Sequence, residues 1–367
     1  MGVASYLVAA TPPRLAVGGI TVAIPVLAVE QVGDVALGGL LVAAALGPSI
    51  VAAPIVGAVL DRNRRPGALV AGAGLVIAAA FAIAAFLGPV PPWVVAIVLA
   101  VAGTATPFVF GGLSSFVTEG IPNERRAYAI DALAYNLGAV AGPAAVAAVT
   151  ALGSARVATL VMAGAALLGA LGTIPLGLRP AASAPHASML GTIAAGFRHI
   201  ATHRPLAVIT TSGTVSQFGA AAIIVTAFAI GGLLGALWNS AHPSRLRPEL
   251  EMGLGFAATG VFTVVAALDV GLPWTILAIG VSGLFTAPSA SAMLLIRKQQ
   301  SPPTLRSQVF TVGAGLRAAA AAAGAAVAGL AAGLGGQALI VAIGVVWVLS
   351  GAMLVAYPKD APPIDGA

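Results

Sequence analysis

Long apolar runs, many of them 18 residues or more, follow one another along this 367-residue chain. A run of that length crosses the hydrocarbon core of a bilayer when it forms a helix. Only 8% of the residues are charged, whereas a soluble globular domain carries about a quarter. Too few charged side chains are therefore available to cover a surface that faces water. The sequence predicts an all-α polytopic membrane protein.

The apolar runs predict six helical spans in the first half of the chain, near residues 12–30, 35–60, 67–88, 92–117, 127–150 and 156–178. After a polar stretch at 179–204, further spans are predicted near 252–269, 273–296, 308–334 and 336–357. The interval 205–238 is too long for one upright helix, yet two full crossings with a turn need about 40 residues. It holds either one long span or a shortened pair.

The positions of Lys and Arg distinguish these possibilities, because basic residues concentrate in cytoplasmic loops. With two crossings in 205–238, nearly all of the 17 Lys and Arg residues lie on one side of the membrane; with one crossing they divide almost evenly. This count places Arg14 before the first span and Arg297 in a cytoplasmic loop. We therefore predict twelve crossings with a shortened seventh–eighth pair and both termini in the cytoplasm. Two six-helix bundles, 1–178 and 205–367, are joined by a cytoplasmic linker at 179–204.

A charged turn, GAVLDRNRR at 57–65, interrupts the apolar sequence after the second span. Gly57 allows two helix backbones to approach closely. Asp61 can face the positive N-terminal end of a neighbouring helix, and Arg62 or Arg65 can pair with a carboxylate. Glu119, at the end of the fourth span, is the candidate partner. The alternative is that these charges only anchor the topology.

Two sets of six spans, a polar linker and the spacing Gly-x-x-x-Asp-Arg-x-x-Arg after the second span resemble the major facilitator superfamily of transporters. The loop signature of that family is Gly-x-x-x-Asp-Arg-x-Gly-Arg-Arg, and this chain has Arg64 at its second glycine and Pro66 at its last arginine. The resemblance implies two halves that expose a central site alternately to either side. It also implies that the charged turn and Glu119 form a cytoplasmic gate that latches the halves in the outward-open state.

A second resemblance lies in the fifth span, where Gly138-x-x-x-Gly142-Pro143 is similar to a motif of drug-efflux members that exchange substrate for protons. Ala129 and the pair Val146-Ala147 depart from that motif. The fourth span also lacks the arginine that proton antiporters of the family often carry. Gly142-Pro143 weakens the backbone hydrogen bonding locally and predicts a bend; the alternative is close packing of small residues.

Polar groups inside spans usually face a cavity or a partner, because they are costly in hydrocarbon. Four such residues are candidates for lining a substrate cavity: Tyr135, Asn136, Gln217 and Arg317. Asp131 could belong to the gate or to the substrate site, and Asp131 and Glu119 are the candidates for proton coupling. The alternative for Arg317 is a structural pair with Asp131.

Other functional classes lack their sequence signatures. The basic residues are scattered singly, which disfavours nucleic-acid binding, and the absence of a phosphate-binding loop disfavours ATP-driven transport. All four histidines fall in predicted loops, and the chain contains no cysteine. We therefore expect no metal site, no cofactor and no enzymatic activity.

These features favour a secondary transporter in a bacterial plasma (inner) membrane, compatible with a monomer, with protons as a possible coupling ion. A cavity with few polar groups suits a lipophilic or amphipathic compound, and we expect export. The alternatives are an importer of a small polar nutrient and a non-transporting membrane scaffold that retains the fold. Membrane lipid and a small-molecule substrate are the expected partners.

Overall fold

The computed structural model describes residues 2–119, 121–179, 188–219, 225–268, 270–330, 335–358 and 364. Seven α-helices form the first half of the chain: α1 (Val3–Val32), α2 (Val35–Leu46), α3 (Pro48–Arg62), α4 (Pro66–Ala84), α5 (Pro92–Pro107), α6 (Glu124–Leu152) and α7 (Ala155–Thr173). Helices α2 and α3 together make one crossing, and a π-helical turn at Phe108–Gly112 extends α5. The first half therefore contains six crossings, as predicted.

The second half contains eight α-helices: α8 (Met189–Thr202), α9 (Arg204–Gly219), α10 (Val225–Ala241), α11 (Pro248–Ala266), α12 (Leu272–Leu284), α13 (Thr286–Gln299), α14 (Arg306–Leu330) and α15 (Gly336–Ala352). Helices α12 and α13 together make one crossing. Helix α8 lies in the segment expected to be a polar linker, so the placement of His199 in a loop was wrong. The spacing of apolar and polar residues in α8 gives the helix one apolar and one polar face. This is typical of an amphipathic helix and not of a membrane-spanning helix.

Nine helical segments within the described ranges are long and apolar enough to cross a membrane. Helices α9 and α10 occupy the interval 205–238 and have 16 and 17 residues, each fewer than the roughly 20 of an average crossing. Together with α14 they complete six crossings in the second half. The all-α polytopic fold with a shortened seventh–eighth pair is confirmed.

The first span differs from its predicted limits. It begins at Val3 rather than near residue 12, and Pro12, Pro13 and Arg14 lie inside it. A proline is tolerated inside a membrane helix because neighbouring groups satisfy the freed backbone atoms. Arg14 is buried, so its placement before the span was wrong.

Each half has its own hydrophobic core. In the first half α1 lies at the centre, where Ile20 and Ile24 are buried among residues of the surrounding helices. In the second half the core includes Met252, Phe256 and Trp347. Large apolar side chains on the outside of the helices, such as Val51, are highly exposed, as expected for a surface that faces lipid.

Candidate functional site

A cavity of about 390 Å³ lies between the two halves. Its walls include six aromatic side chains, contributed by Phe110, Tyr135, Phe228, Phe256, Phe310 and Trp347. Its polar lining comes from Asn136, Gln217, Thr286, Arg297 and Arg317. The structure thus places all four residues that the sequence suggested for a cavity around one space.

A buried ion pair lies behind the cavity wall. Arg14 on α1 approaches Asp131 on α6 with 2.7 Å between Nη1 and Oδ1, and both side chains are almost completely buried. Arg14 also donates to Ser114 Oγ at 3.0 Å, and the Tyr6 hydroxyl donates to Asp131 Oδ1 at 2.5 Å. The Arg14 guanidinium stacks over the ring of Tyr135, 3.8 Å from its centre. The cluster therefore holds one cavity-lining aromatic ring in place.

This pairing distinguishes the two roles suggested for Arg317, a cavity-lining residue or a structural partner of Asp131. Asp131 pairs with Arg14, so the alternative in which Asp131 pairs with Arg317 was wrong. Arg317 instead lines the cavity, and its Nε atom is buried without a hydrogen-bond partner among the described residues.

Arg297 is a cavity residue that sequence reasoning missed. The sequence placed it in a cytoplasmic loop, but α13 continues to Gln299 and Arg297 is only 1% exposed. Its guanidinium lies against Gly313 of α14, where an added Cβ would be 2.5 Å from Cζ. No sequence signal marked it, because Met293, which lies four residues earlier on the same helix face, is itself recognised as a cavity residue only in the structure.

The two halves meet at Asp61. This side chain on α3 is 2% exposed, and its carboxylate accepts hydrogen bonds from the backbone N–H groups of Ser307 and Gln308, each at 2.9 Å. Those groups belong to the N-terminus of α14, where unpaired N–H groups and the helix dipole attract a negative charge. Asp61 thus lies at the positive end of a neighbouring helix, as the sequence suggested.

Small residues let α3 and α14 approach closely at this point. A Cβ on Gly57 would lie 2.5 Å from Gln308 Cα. Beside it, the hydroxyl oxygens of Ser115 and Ser307 are 3.1 Å apart and join the two halves. We call the end of the bundle that contains these contacts the gate end, after the gate that the sequence predicts there.

The remaining charges of the turn have other neighbours. Arg62 donates to Thr192 Oγ1 on α8 at 3.3 Å, and Arg65 is exposed at the start of α4. Glu119 accepts a hydrogen bond from the backbone N–H of Arg179 at 3.1 Å. The pair between Glu119 and Arg62 or Arg65 that the sequence suggested is therefore not the contact observed, because Glu119 instead accepts from the segment that follows α7.

Further ion pairs connect the halves at the gate end. Lys298 of α13 pairs with Glu124 of α6. Arg125 lies 3.6 Å from a carboxylate oxygen of Glu251 and donates to the carbonyl of Ser244 at 3.1 Å. From the sequence, these charges were used only to assign loops to one side of the membrane. A single sequence does not show which loops contact each other.

The glycines of the fifth span pack against α1. A Cβ on Gly138 would lie 2.8 Å from the carbonyl carbon of Arg14, and one on Gly142 would lie 2.5 Å from the carbonyl oxygen of Leu15. Helix α6 runs through Pro143 from Glu124 to Leu152. These contacts support the packing reading, and the bend stays a prediction.

Comparison with known proteins identifies the family. Residues 8–219, more than half of the chain, match the profile of the Major Facilitator Superfamily. The chain belongs to this superfamily. It is therefore a multi-pass membrane protein for secondary transport, a transporter rather than an enzyme.

A curated relative within the superfamily is the uncharacterized MFS-type transporter y4rN of Sinorhizobium fredii, which is 23% identical over 99% of this chain and 96% of its own length. Solved structures of other proteins share the fold. The human organic anion transporter MFSD10 has a TM-score of 0.75 at 17% identity, covering 96% of this chain and 98% of its own. A bacterial homologue of the iron transporter ferroportin, in an outward-facing state, has a TM-score of 0.77 at 10% identity. The match covers 97% of this chain and 99% of that chain.

Proposed function

We propose that this transporter exports a small amphipathic molecule across a bacterial plasma membrane by alternating access, with the gate end facing the cytoplasm. The observation that carries the proposal is the Asp61 contact, which joins the halves on one side of a cavity that both halves line. A molecule in that cavity can leave towards the gate end only after the contact breaks.

The character of the cavity supports an amphipathic substrate. Aromatic rings form much of its wall, and a few polar groups interrupt them, which is the usual composition of small-molecule sites. A sugar-like nutrient would need a denser set of hydrogen-bonding groups. We therefore favour export of an amphipathic compound over uptake of a small polar nutrient.

The basic residues support the orientation. Arg62, Arg64 and Arg65 follow Asp61 in the same turn, and Lys298 and Arg125 form ion pairs between the halves at the gate end. Because Lys and Arg concentrate on the cytoplasmic side, we assign the gate end to that side. The closed gate then corresponds to the outward-facing state.

Gate opening has an energetic cost that substrate or ion binding must offset. Each hydrogen bond from a backbone N–H to the Asp61 carboxylate is charge-assisted and contributes about 1.5–3 kcal/mol net. A ligand shifts the equilibrium between two states only by its difference in affinity for them. The inward-open state must therefore gain a comparable amount from the cargo, the coupling ion or water.

Asp131 and Glu119 are the proposed coupling groups. The Asp131 carboxylate pairs with the Arg14 guanidinium and accepts a hydrogen bond from the Tyr6 hydroxyl, so a proton added to this carboxylate would weaken its ion pair with Arg14. Since Arg14 supports the ring of Tyr135, this change would reach the cavity wall.

Flux into proteoliposomes tests the proposed function. The purified full chain is reconstituted, and the flux of lipophilic cations, aromatic anions and sugars is measured with and without a pH gradient. We expect saturable flux of amphipathic probes that Asp61→Asn strongly reduces. Flux of sugars alone would instead indicate an importer, and no flux of any probe would indicate a scaffold. Flux that ignores the pH gradient would remove the coupling roles of Asp131 and Glu119.

A further inference from the structure

The cavity carries positive charge without a balancing acid. Arg297 and Arg317 contribute guanidinium groups to its lining, and no Asp or Glu is among the described residues that line it. Asp131 is nearby, but it is already paired with Arg14. Arginine stays protonated in proteins, so the cavity presents two cationic groups that no side chain on its wall neutralises.

The unpaired polar atoms of the cavity wall are all hydrogen-bond donors. Nε and Nη2 of Arg297, Nε of Arg317 and Nε1 of Trp347 are buried and have no partner in the part of the chain that the structure describes. Buried donors are costly unless an acceptor reaches them, and a buried charge without a partner costs several kcal/mol. A ligand with anionic oxygens would supply the hydrogen-bond acceptors and the negative charge that these donors lack.

Arg14 provides an internal comparison. Its guanidinium has a carboxylate at 2.7 Å, a serine hydroxyl at 3.0 Å and an aromatic ring beneath it. A buried arginine that does not line the cavity thus has its guanidinium satisfied by partners within the protein. Arg297 has no such set of partners, although it is just as deeply buried. The structure therefore gives room for the Arg297 guanidinium beside Gly313 but gives its Nε and Nη2 atoms no acceptor among the described residues.

The shape of the wall indicates the rest of the ligand. Phe256 and Trp347 meet edge to face with 5.1 Å between ring centres, and Phe110 and Tyr135 do so at 5.4 Å. Such rings offer flat apolar surfaces for another ring. A volume of about 390 Å³ falls in the range of sites for small organic molecules.

We propose that the cargo is an aromatic organic anion whose carboxylate, sulfonate or phosphate is bound by Arg297 and Arg317 while its ring packs among the aromatic side chains. This inference rests on the proposed function and names the class of its substrate. Both arginines belong to the second half, on α13 and α14, whereas Tyr135 and Asn136 belong to the first half. A bound anion therefore contacts both halves at once.

Binding of three matched probes to the purified full chain tests the inference: 2-naphthoate, 2-naphthylmethanol and 2-naphthylmethylammonium. They share one ring system and differ in charge. We expect 2-naphthoate to bind at least tenfold more tightly than the other two. Arg297→Gln and Arg317→Gln should each weaken naphthoate binding about 10–100-fold, since each removes a charge-assisted hydrogen bond, and should leave the binding of 2-naphthylmethanol nearly unchanged.

Arg245→Gln is the matched control, because Arg245 is exposed in the loop between α10 and α11. It should leave the binding of all three probes unchanged. Gly313→Ala is a second variant that keeps both arginines. Its new methyl group would occupy the position of the Arg297 guanidinium, so naphthoate binding should weaken as in Arg297→Gln.

Thermal unfolding gives a readout that does not depend on transport. Without ligand, Arg297→Gln should unfold at a higher temperature than the wild type, because it removes an uncompensated buried charge. Naphthoate should raise the unfolding temperature of the wild type and leave that of the variant almost unchanged.

Three results would overturn the inference: equal or tighter binding of 2-naphthylmethylammonium, no saturable binding of 2-naphthoate, or unchanged naphthoate affinity in both arginine variants. Flux separates this failure from failure of the proposed function. A protein that transports the ammonium probe and ignores the anion is still a transporter, with a different substrate class.

Discussion

Replacing Asp61 by Asn should shift the gate towards its open state. The carboxylate accepts two backbone hydrogen bonds at 2.9 Å from the N-terminus of α14. An amide keeps one acceptor oxygen and turns its NH₂ group towards an N–H donor. The change loses one charge-assisted bond, about 1.5–3 kcal/mol, and part of the favourable interaction with the helix dipole. In the open state water satisfies either side chain, so the loss falls on the closed state.

A net loss of about 3 kcal/mol corresponds to an increase in the open-to-closed ratio on the order of 100-fold. The chain contains no cysteine, so Ser115→Cys introduces a single thiol. Ser115 is 4% exposed and faces Ser307 across the gate. A membrane-impermeant maleimide reaches that thiol only when the gate opens, and its labelling rate therefore reports the open population.

Asp34→Asn is the matched control for this measurement. Asp34 also accepts a backbone hydrogen bond at a helix N-terminus, from Leu37 at 3.0 Å, but it is exposed and the contact lies within one half. We expect its labelling rate to equal that of the parent. A rate in Asp61→Asn within twofold of the parent would refute the reasoning, because the carboxylate would then contribute nothing to closure.

Three further predictions concern other parts of the protein. Asp131→Asn leaves Arg14 buried without its counter-ion, so the protein should lose about 3–5 kcal/mol of stability in unfolding measurements; a smaller loss than 1 kcal/mol would contradict a structural pair. Gly57→Leu places a side chain into α14, so maleimide labelling at the gate should rise at least tenfold with helix content unchanged, and unaltered labelling would show that the crossing is not close. Burial, aided by the charge of the neighbouring His203, lowers the pKa of His199 below its ordinary value of about 6.5. Protonating it then costs stability that is present above that value and lost as the pH falls below it, so hydrogen exchange in α8 should accelerate at pH 5 in the wild type and not in His199→Gln.

The architecture could be predicted because hydrocarbon imposes strong constraints on sequence. Span length and the distribution of Lys and Arg were enough to predict two sets of six crossings and the short α9–α10 pair. Asp61 could be placed at a helix N-terminus for a related reason. An acid among apolar spans needs a positive partner, and loop charges at a helix end find one close by.

Arg14 and Arg297 show where sequence reasoning failed. Both were assigned to the aqueous side because each lies near the end of an apolar run. Arg14 is inside because Asp131, which is far away in sequence, neutralises it. Arg297 is inside because α13 continues past the apolar run and Gly313 leaves room for its guanidinium. In both cases the residue that makes burial possible lies on another helix. The local sequence pattern does not show which helices pack against each other.

Breaking the Asp61 contact should let the two halves separate at the gate end. Double electron–electron resonance between spin labels at Arg64→Cys and Arg245→Cys measures that separation directly, because both positions are exposed at the gate end, one in each half. In lipid nanodiscs we expect one short distance in the otherwise unchanged chain and a second, longer population when Asp61→Asn is added. An identical single distance in both proteins would contradict it.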